Sequence, residues 1–478
     1  MHRLRPLAAL IAALLPACAI GPRPVSPAPA SLGLPPEFSA DAVSYDRAPA
    51  ANELARWWTT FGDTTLTQLI DRALTASTDI EAAVARVRQS RAALTGTRSA
   101  FWPSIEATAS GTRRYRDDGV IDSPDRTSYS AGIDAAYEVD LFGGVRRSVQ
   151  AAAAELAATE AGRDLVRVTV TGEVALNYFD ARLAQRRLAI AEANLASQDE
   201  TLQIVGWRVQ AGLVSALDLE QARRLRAQTA SAVPLVQQDL AAAVNRLAVL
   251  TAQPADAVRG QIGNTTDIPL APLPGIALPA DVVRRRPDVI EAERALVAET
   301  ARIGVREADL YPALRLTGTF AGVGTNWSTV SDAAVGNLVA GITAPIFEGG
   351  RLRAAVEQQR AATDVALANY RAALLVAIED AENAITSVAT SERREAELLV
   401  ADDAATNAAV LARSQYQAGL IDFQTVLDSE RSLLSTQDSR ASARASRATS
   451  LVQLYKALGG GWDVVFVPPP MPSLPAKK

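Results

Sequence analysis

Two residue types that carry much of protein chemistry are almost missing from this chain of 478 residues. It has one cysteine, Cys18, and one histidine, His2. A single cysteine cannot form an intrachain disulfide, and His2 lies in a stretch that we expect export processing to remove. The mature chain then has no imidazole for general-base catalysis or metal binding. We therefore predict that the protein is not an enzyme and that it holds no metal.

Charge of one sign is not concentrated anywhere in the sequence. The net charge is −5, and arginine and glutamate alternate along most of the chain. A nucleic-acid-binding protein would show a basic patch or stripe, and none is present. Aromatic residues make up only 5% of the chain, while alanine and other strong helix formers are abundant. This composition favours long helices and excludes a nucleic-acid partner.

The N-terminus has the pattern of an export signal, which we place at residues 1–17. Arg3 and Arg5 precede an apolar run at 7–15 that is too short to span a bilayer. The run leads into Pro16-Ala17-Cys18, which resembles the bacterial lipobox, in which the cysteine becomes the lipidated first residue. The alternative is an ordinary signal peptide with an incidental cysteine. We predict a covalent lipid on Cys18 and no other cofactor.

The residues after Cys18 predict the destination of the protein. Ala19 is not the aspartate that usually retains lipoproteins at the inner membrane, so we expect the outer membrane. The segment 18–50 is rich in proline, alanine and serine, which is typical of an extended tether without a core of its own.

The same four residues occur twice in the chain, 207 positions apart. Gln210–Leu213 and Gln417–Leu420 both read Gln-Ala-Gly-Leu, and each copy lies between two long helix-like segments. Glycine is the expected residue where a helix ends in the left-handed conformation. Each copy therefore predicts a tip at which one long helix ends and the next returns. Similar offsets relate Phe101-Trp102-Pro103 to Leu310-Tyr311-Pro312, and Phe142-Gly143-Gly144 to Phe347, Gly349 and Gly350.

Each copy also contains two stretches in which apolar and polar residues alternate. The alternation predicts strands at about 104–115 and 128–141, and again at about 313–323 and 334–346. One face is apolar and the other is polar and partly acidic, as in membrane strands that face lipid on one side and water on the other. A half-buried hairpin of a soluble domain is the alternative.

Four membrane strands in one chain cannot close a barrel. An open sheet edge cannot face lipid, because its backbone groups would lack hydrogen-bond partners. Several chains must then share one barrel, and three chains give the smallest one with a lumen. We predict a homotrimer with a pore, whose long helices extend it beyond the membrane.

At this point the motifs match a known family. The chain resembles the outer-membrane factor family of TolC-like channels, and within it the lipidated OprM/NodT branch. The match covers nearly the whole chain. It is carried by Trp57-Trp58 with Phe61-Gly62-Asp63, Asp140–Gly144, Leu278-Pro279, Arg284–Asp288, Pro345–Phe347 with Gly349-Gly350, and both tips.

The resemblance implies a mainly helical chain with membrane β-strands. Four strands of each chain enter a shared 12-stranded outer-membrane barrel, and a long periplasmic α-helical barrel follows. The corresponding segments are a first repeat at 51–254, a linker at 255–280, a second repeat at 281–460 and a tail at 461–478. The family docks a periplasmic adaptor and an inner-membrane RND-type pump.

The resemblance also implies roles for single residues. The tip residues that meet the adaptor correspond to Gly212, Leu213, Gly419 and Leu420. The side chains that close the periplasmic end correspond to Tyr416 and Asp428. A solvated helix charge is the alternative interpretation of Asp428. Thr425 and Ile421 stand where the TolC type has charged residues, so that network is only partly present.

The function that follows is a passive conduit of a tripartite efflux system, exporting drugs or other small molecules. A type I protein-secretion channel and a heavy-metal efflux channel are alternatives within the same class. A structural coiled-coil lipoprotein without a pore is an alternative of a different class.

Overall fold

The computed structural model describes residues 20–23, 51–114, 126–274, 282 and 284–462. Its contacts divide the chain into two compact units. One, which we term the sheet unit, contains Met1–Pro27, Arg86–Glu160 and Glu291–Arg371. The other, the helical unit, contains Ala28–Ala85, Ala161–Ile290 and Ala372–Lys478. Each unit takes segments from both sequence repeats, so the repeats and the units are different divisions of the chain.

The helices and strands follow the order that the sequence predicts for both repeats. The first repeat contains α1 (Ala51–Ala55), α2 (Thr64–Ala76), α3 (Thr78–Arg98), β1 (Ser104–Arg114), β2 (Arg126–Val139), α4 (Gly144–Gln210) and α5 (Ala216–Thr251). After α6 (Ala255–Ile262), the second contains α7 (Pro287–Ala308), β3 (Ala313–Gly324), β4 (Ala334–Thr343), α8 (Arg351–Gln417) and α9 (Phe423–Ala457). Short 3₁₀ helices occupy Trp57–Phe61, Ser99–Phe101 and Trp327–Ala333.

The sequence predicts a helix from about residue 64 to residue 99 with a break near Ser77–Asp79. The break lies at Ser77, which has extended backbone angles between α2 and α3. We expect from the sequence that Asp79 caps the second helix, and this is wrong. α3 begins at Thr78, so Asp79 lies inside its first turn, where its negative charge still favours the helix N-terminus.

The four strands of the sheet unit form one antiparallel sheet in the order β1-β2-β3-β4. One residue pair at a strand end gives the register of each pair of strands. Ser104 pairs with Ala136, Val139 pairs with Leu314, and Ala313 pairs with Thr343. All four strands therefore have one end close to the helices of the sheet unit, which we term the helix end. The opposite end, which we term the loop end, carries the 115–125 connection, outside the described residues, and the 3₁₀ helix at Trp327–Ala333.

The core of the helical unit explains the Trp-Trp and Phe-Gly-Asp motifs. Trp57, Trp58 and Phe61 are buried, and the ring of Trp57 stacks on Tyr455 of α9 at 5.5 Å. Gly62 then turns the chain with φ of 66°. Asp63 follows as the N-cap of α2 and accepts a hydrogen bond from Leu66 N–H at 2.9 Å.

Asp63 also joins a buried polar network that spans distant segments of the helical unit. The hydroxyl of Tyr178 donates to Asp63 at 2.5 Å, and Arg182 donates to the same hydroxyl at 2.7 and 2.9 Å. Arg182 further donates to the carbonyls of Ile262 and Thr265. Burial and the hydrogen bond to Asp63 raise the pKa of Tyr178. The network thus ties α2, α4 and the residues after α6 together.

Arg286, in the Arg-rich motif before Pro287, has a comparable role. It is buried and forms ion pairs with Asp288 at 2.7 Å and Asp380 at 2.8 Å. A buried arginine is tolerated when carboxylates compensate its charge. This motif therefore fixes the start of α7 against α8.

Candidate functional site

Within the described residues, the sheet presents an apolar face that is uncovered over most of its length. At the loop end the 3₁₀ helix at Trp327–Ala333 packs on it, since a Cβ on Gly322 would overlap Val330 O. Five large side chains of this face are at least half exposed, Leu338 the most at 85%. They are Ile105, Ile133, Phe320, Leu338 and Ile342. The register aligns them in neighbouring rows, because Ile133 pairs with Phe320 and Gly318 pairs with Leu338. A soluble monomer rarely exposes a continuous apolar face of this kind.

The opposite face carries polar and charged side chains that interact across strands, with Val323, Val335 and Val339 exposed among them. Thr108 donates to Asp134 at 3.3 Å, and the hydroxyls of Ser110 and Ser130 lie 2.9 Å apart. Glu138 and Arg315 form an ion pair at 3.7 Å across β2 and β3. The alternation predicted from the sequence is thus present, with an apolar side and a water-compatible side.

Aromatic pairs mark the two ends of the sheet. Tyr129 and Trp327 lie 4.9 Å apart at the loop end, and Phe142 and Tyr311 stack at 4.8 Å at the helix end. Tyr129 to Val139 is eleven residues of strand, and the ten steps between them span about 33 Å along the strand and about 25 Å across a membrane after the usual tilt. That height matches the apolar band of outer-membrane barrels, which aromatic residues flank on both sides.

In the part of the chain that the structure describes, the two outer strands of the sheet have no partner on their outer edges. Within the described residues, β1 pairs only with β2, and β4 pairs only with β3. Unpaired strand edges are ready to pair with another chain. In a lipid environment they must do so, because no water is present to satisfy their backbone groups.

At the other functional region, the first tip (Gln210–Ser215) joins α4 to α5. Leu213 N–H donates to Arg208 O at 2.9 Å and Gly212 N–H donates to Val209 O at 3.0 Å, with φ of 69° at Gly212. Ser215 then caps α5 in a reciprocal pair of hydrogen bonds with Asp218. The predicted helix stop at Gly212 therefore lies in a tight turn, and Leu213 is exposed at its end.

The second tip (Gln417–Asp422) joins α8 to α9 with the same turn. Leu420 N–H donates to Gln415 O and Gly419 N–H donates to Tyr416 O, both at 2.9 Å, with φ of 76° at Gly419. Asp422 caps α9 by accepting from Thr425 N–H at 2.9 Å. The Thr425 hydroxyl also donates to Asp422, at 2.6 Å, and the hydrogen bonds from this hydroxyl and from the N–H lower the pKa of Asp422. Leu420 is exposed, as Leu213 is.

Behind the second tip lies a cluster of buried side chains that we term the tip core. Tyr416 is 4% exposed and its ring lies 5.3 Å from that of Phe423. Val205, Leu225 and Leu427 complete the packing around it. A cavity of about 230 Å³ borders Tyr416, and the tyrosine hydroxyl has no hydrogen-bond partner within the described residues.

Arg208 connects α4 to this core. Its guanidinium lies 4.6 Å from the centre of the Tyr416 ring, and it donates to the carbonyl of Tyr416. A cation over an aromatic face is attractive, and more so where water is excluded. The sequence analysis missed Arg208. Comparing the repeats could have found it, because Gln415 stands at the corresponding position of the second tip.

The two predicted gate residues lie in different environments. Tyr416 is inside the tip core, whereas the side chain of Asp428 is 60% exposed. Asp428 accepts from Gln424 at 3.0 Å and pairs with Arg431 at 3.3 Å. The fold of one chain therefore does not bring these two together, and their gate role stays a prediction.

Glu430, two residues further along, is a second residue that the sequence analysis missed. It is 4% exposed and accepts from Thr201 of α4 at 3.0 Å. Burial raises its pKa, while the hydrogen bond from Thr201 and the charge of Arg413 oppose that shift. A carboxyl of this kind titrates closer to neutral pH than an exposed glutamate does. In the first repeat Arg223 stands at the corresponding position and is exposed.

Cys18 lies outside the described residues, and so does the loop predicted between β1 and β2 from residue 115 to 125. In the part of the chain that the structure describes, no three histidine, cysteine, aspartate or glutamate side chains are grouped so that they could hold a metal ion.

The family follows from comparison with known proteins. A family model described as outer membrane efflux protein matches residues 69–253 and 278–460. The chain belongs to the outer membrane efflux protein family. The two matched segments correspond to the two repeats that the sequence shows.

Individual relatives match this chain over nearly its full length. The pyoverdine export outer membrane protein OpmQ of Pseudomonas aeruginosa is 34% identical over 92% of this chain and 94% of its own. Nodulation protein T of Rhizobium leguminosarum bv. viciae is 30% identical over 98% of this chain and 96% of its own. The structure of the outer-membrane channel OprN superimposes with a TM-score of 0.84 at 31% identity, covering 93% of this chain and all of that one.

The predicted resemblance, the TolC-like fold and the outer-membrane location are thereby confirmed. This family member is an outer-membrane efflux channel that extends into the periplasm. The apolar sheet face is its membrane surface, and the tips lie at the ends of its long helices.

Proposed function

We propose that three copies of the chain form one pore, with a twelve-stranded barrel in the outer membrane and the long helices continuing it into the periplasm. The assembly acts as a passive conduit for a periplasmic adaptor and an inner-membrane RND-type pump. It exports drugs or other small molecules.

The observation that carries this proposal is the four-stranded sheet with an apolar face and two unpaired edges. Pairing β4 of one chain with β1 of the next satisfies every edge and closes a barrel. Twelve strands at ordinary spacing and tilt give a backbone diameter of about 24 Å, which leaves a lumen after side chains are subtracted. Eight strands from two chains give about 16 Å, which side chains fill.

The helices supply a second reason for assembly. By length and composition, α8 is the one described helix that is long and apolar enough to cross a membrane. One part of its apolar surface, which includes Leu375, Val400 and Leu411, is exposed, while other apolar residues such as Leu374 and Ile385 are buried. Helices of neighbouring copies would cover that surface in a closed tube.

The tips are the proposed contact with the adaptor. Gly212 and Gly419 form the turns, and Leu213 and Leu420 project as exposed apolar side chains at the ends of two helix pairs. Exposed leucines on a fixed turn suit docking to apolar side chains of a partner.

The same region is the proposed periplasmic gate, with Tyr416 held in the tip core and Asp428 exposed on α9. Three copies of Asp428 around a threefold axis would favour cations over anions. Asp428→Ala is expected to reduce the cation preference of the pore in planar bilayers. Unchanged conductance and selectivity would rule out this role for Asp428.

Cys18 is the proposed lipid site. Its acyl chains would anchor the chain in the membrane that the sheet crosses, since each buried methylene contributes about 0.8 kcal/mol. Incorporation of labelled palmitate by the wild-type chain, and its loss in Cys18→Ser, tests this modification.

The relatives are named for the export of different substances. OpmQ is named for pyoverdine export, TtgI of Pseudomonas putida for toluene efflux and CusC of Escherichia coli for cation efflux. All three are 29–34% identical to this chain. We infer that the pump selects the substrate and that the channel itself discriminates little.

The proposal is tested with a matched pair of variants on β4. Leu338 lies on the apolar face and its neighbour Asn337 on the polar face. An arginine facing lipid at mid-membrane costs about 2–4 kcal/mol, whereas a lumen position tolerates it. Leu338→Arg should therefore reduce the amount of heat-modifiable trimer in the membrane, and Asn337→Arg should not.

Native mass spectrometry of the detergent-extracted protein measures the assembly directly, and planar bilayers measure its conductance. A mass of three chains with ion conductance supports the proposal. Monomers without conductance, or equal effects of the two arginine variants, would overturn it.

A further inference from the structure

Within the sheet unit, Ile20 and Gly21 of the N-terminal tether pack against the start of α4, whereas Pro22 and Arg23 are exposed. Ile20 N–H donates to Phe142 O at 3.1 Å, in the connection from β2 to α4. Arg147 donates from Nε to Ile20 O at 3.1 Å and from Nη2 to Gly21 O at 2.9 Å. Three hydrogen bonds therefore hold two consecutive residues by their main chain.

Arg147 has an unusual set of partners for a buried arginine. It is 4% exposed, and its hydrogen-bond acceptors in the described residues are Ile20 O, Gly21 O and the side chain of Gln150. None of these carries a charge. Burial and the neighbouring Arg146 lower the pKa of Arg147, while the charge of Glu307 opposes that shift. Without the tether, two of its donors would lose their acceptors, and a buried charge without acceptors is strongly unfavourable.

A pair of glycines allows the tether to approach this closely. Gly21 has φ of 94°, and a Cβ there would lie 2.5 Å from the Cα of Gly304 in α7. A Cβ on Gly304 would lie 2.9 Å from Ile20 O and from the Arg147 side chain. Glycine inside a helix lowers helix stability relative to alanine. At Gly304 the missing side chain makes room for the tether.

The second repeat offers an internal comparison. Counted from the paired glycines, Arg353 of α8 stands where Arg147 stands in α4. Arg353 is exposed, and no hydrogen bond or ion pair joins it to the described residues. Arg147 therefore differs from its counterpart by holding the tether.

We propose that Phe142, Arg147 and Gly304 form a seat for Ile20 and Gly21, and that this seat holds the lipid anchor beside the helix end of the sheet. The location of a lipid rests on the proposed modification of Cys18, whereas the seat itself does not.

The seat changes how far the anchor can move. Consecutive Cα atoms are 3.8 Å apart, so Cys18 can lie no more than about 8 Å from Ile20. A flexible tether of the full length 18–50 would instead let the anchor range over about 30 Å. The helix end, marked by Phe142 and Tyr311, is the end from which the helices leave the proposed membrane region. Acyl chains attached there would enter the leaflet that faces the periplasm.

The seat is tested by a spin label at an exposed position of the tether, Arg23→Cys, in the full chain reconstituted in phospholipid vesicles. The labelled parent should give an immobile spectrum. Gly21→Val and Arg147→Gln should each cause loss of the immobile component. Arg353→Gln is the matched control and should leave the spectrum unchanged. Heat-modifiable trimers on a gel confirm that each variant is folded.

Palmitate incorporation in the same preparations separates the two proposals. Label immobility without palmitate would mean that the seat exists and the lipid proposal fails. A mobile label in a folded, palmitate-bearing parent would overturn the seat. It would also be overturned if Gly21→Val and Arg147→Gln left the label immobile, or if Arg353→Gln mobilised it as Arg147→Gln does.

Discussion

Leu213 N–H donates to Arg208 O in the first tip and Leu420 N–H donates to Gln415 O in the second, each at 2.9 Å. The glycines have nearly equal φ angles, 69° and 76°. Behind this common turn the tips differ. Tyr416 and Phe423 fill the second, while Val209 and Ala216 occupy the corresponding positions of the first. The comparison therefore separates two contributions. The backbone hydrogen bonds and the glycine form the turn, and the side chains behind it pack the two tips against each other.

The largest difference between the tips should appear when the tip core is emptied. Tyr416→Ala removes a buried ring and should lower the local free energy of opening by about 3 kcal/mol. Val209→Ala, at the partly exposed counterpart, should lower it by about 1 kcal/mol. Amide hydrogen exchange in α8 and α9 near the second tip measures both. Equal effects would mean that the second tip is no more packed than the first.

The next effect concerns the link that Arg208 makes between α4 and the second tip. Arg208→Ala removes a cation–π contact and a hydrogen bond, and should cost about 1–2 kcal/mol by the same exchange measurement. Gln415→Ala, its exposed counterpart, should stay within about 0.5 kcal/mol. If the proposed gate is correct, Arg208→Ala also raises the open probability in planar bilayers. A larger effect from Gln415→Ala would contradict the assigned link.

Acidification should affect two carboxyl groups of the second tip in opposite ways. The pKa of Glu430 is raised by burial, so its contribution to stability is full below the ordinary value of 4.5 and is lost as pH rises through the raised pKa. The pKa of Asp422 is lowered, so its capping contribution is present above the ordinary value of 3.8 and is lost as pH falls through the lowered pKa. Each unit of pKa shift at a buried group corresponds to about 1.4 kcal/mol.

Hydrogen exchange of α9 from pH 4 to pH 7 tests the prediction for Glu430, because Asp422 stays ionised over this range. Protection near Glu430 should fall with rising pH in the wild type and become flat in Glu430→Gln. In the first tip, Arg223 occupies the position of Glu430, so no such slope is expected there. A slope that survives in Glu430→Gln would assign the titration to another group.

The smallest difference is expected at the shared turn itself. Gly212→Ala and Gly419→Ala place a Cβ on a residue of positive φ, and each should cost about 1 kcal/mol. The two costs should agree, because the backbone is the same in both tips. Thermal unfolding of each variant measures them. The neighbouring Arg208 would be in ordinary contact with a Cβ at Gly419, at 3.7 Å, so a much larger cost at Gly419 would contradict this prediction.

Much of the architecture could be read from the sequence, because its causes are local. Alternation of apolar and polar residues follows from the two-residue period of a strand, and β1 to β4 lie within three residues of the predicted bounds. The glycines of the tips give helix stops for the same reason, since only the local φ angle matters. The long helices could be predicted in the same way, because their segments contain few internal stop signals.

The residues of the candidate site were predicted less completely. Asp79 does not cap α3, and the sequence analysis did not single out Arg208, Glu430 or Arg147. Each of these three acts through a residue far away in the chain: Tyr416, Thr201 and Ile20. In alanine-rich helices, apolar and polar residues are only weakly separated between the faces of the helix. The buried side of α8 or α9 therefore cannot be predicted from sequence.

The sequence by itself determined the period of each segment, the positions of the turns and the repeat that relates the two halves, because these depend on neighbours within a few residues. The tertiary structure decided which of two similar tips contains a buried tyrosine, which glutamate is removed from water and which arginine holds the N-terminal tether. Burial and hydrogen bonding between distant segments set those properties, and a one-dimensional pattern contains no record of which segments meet.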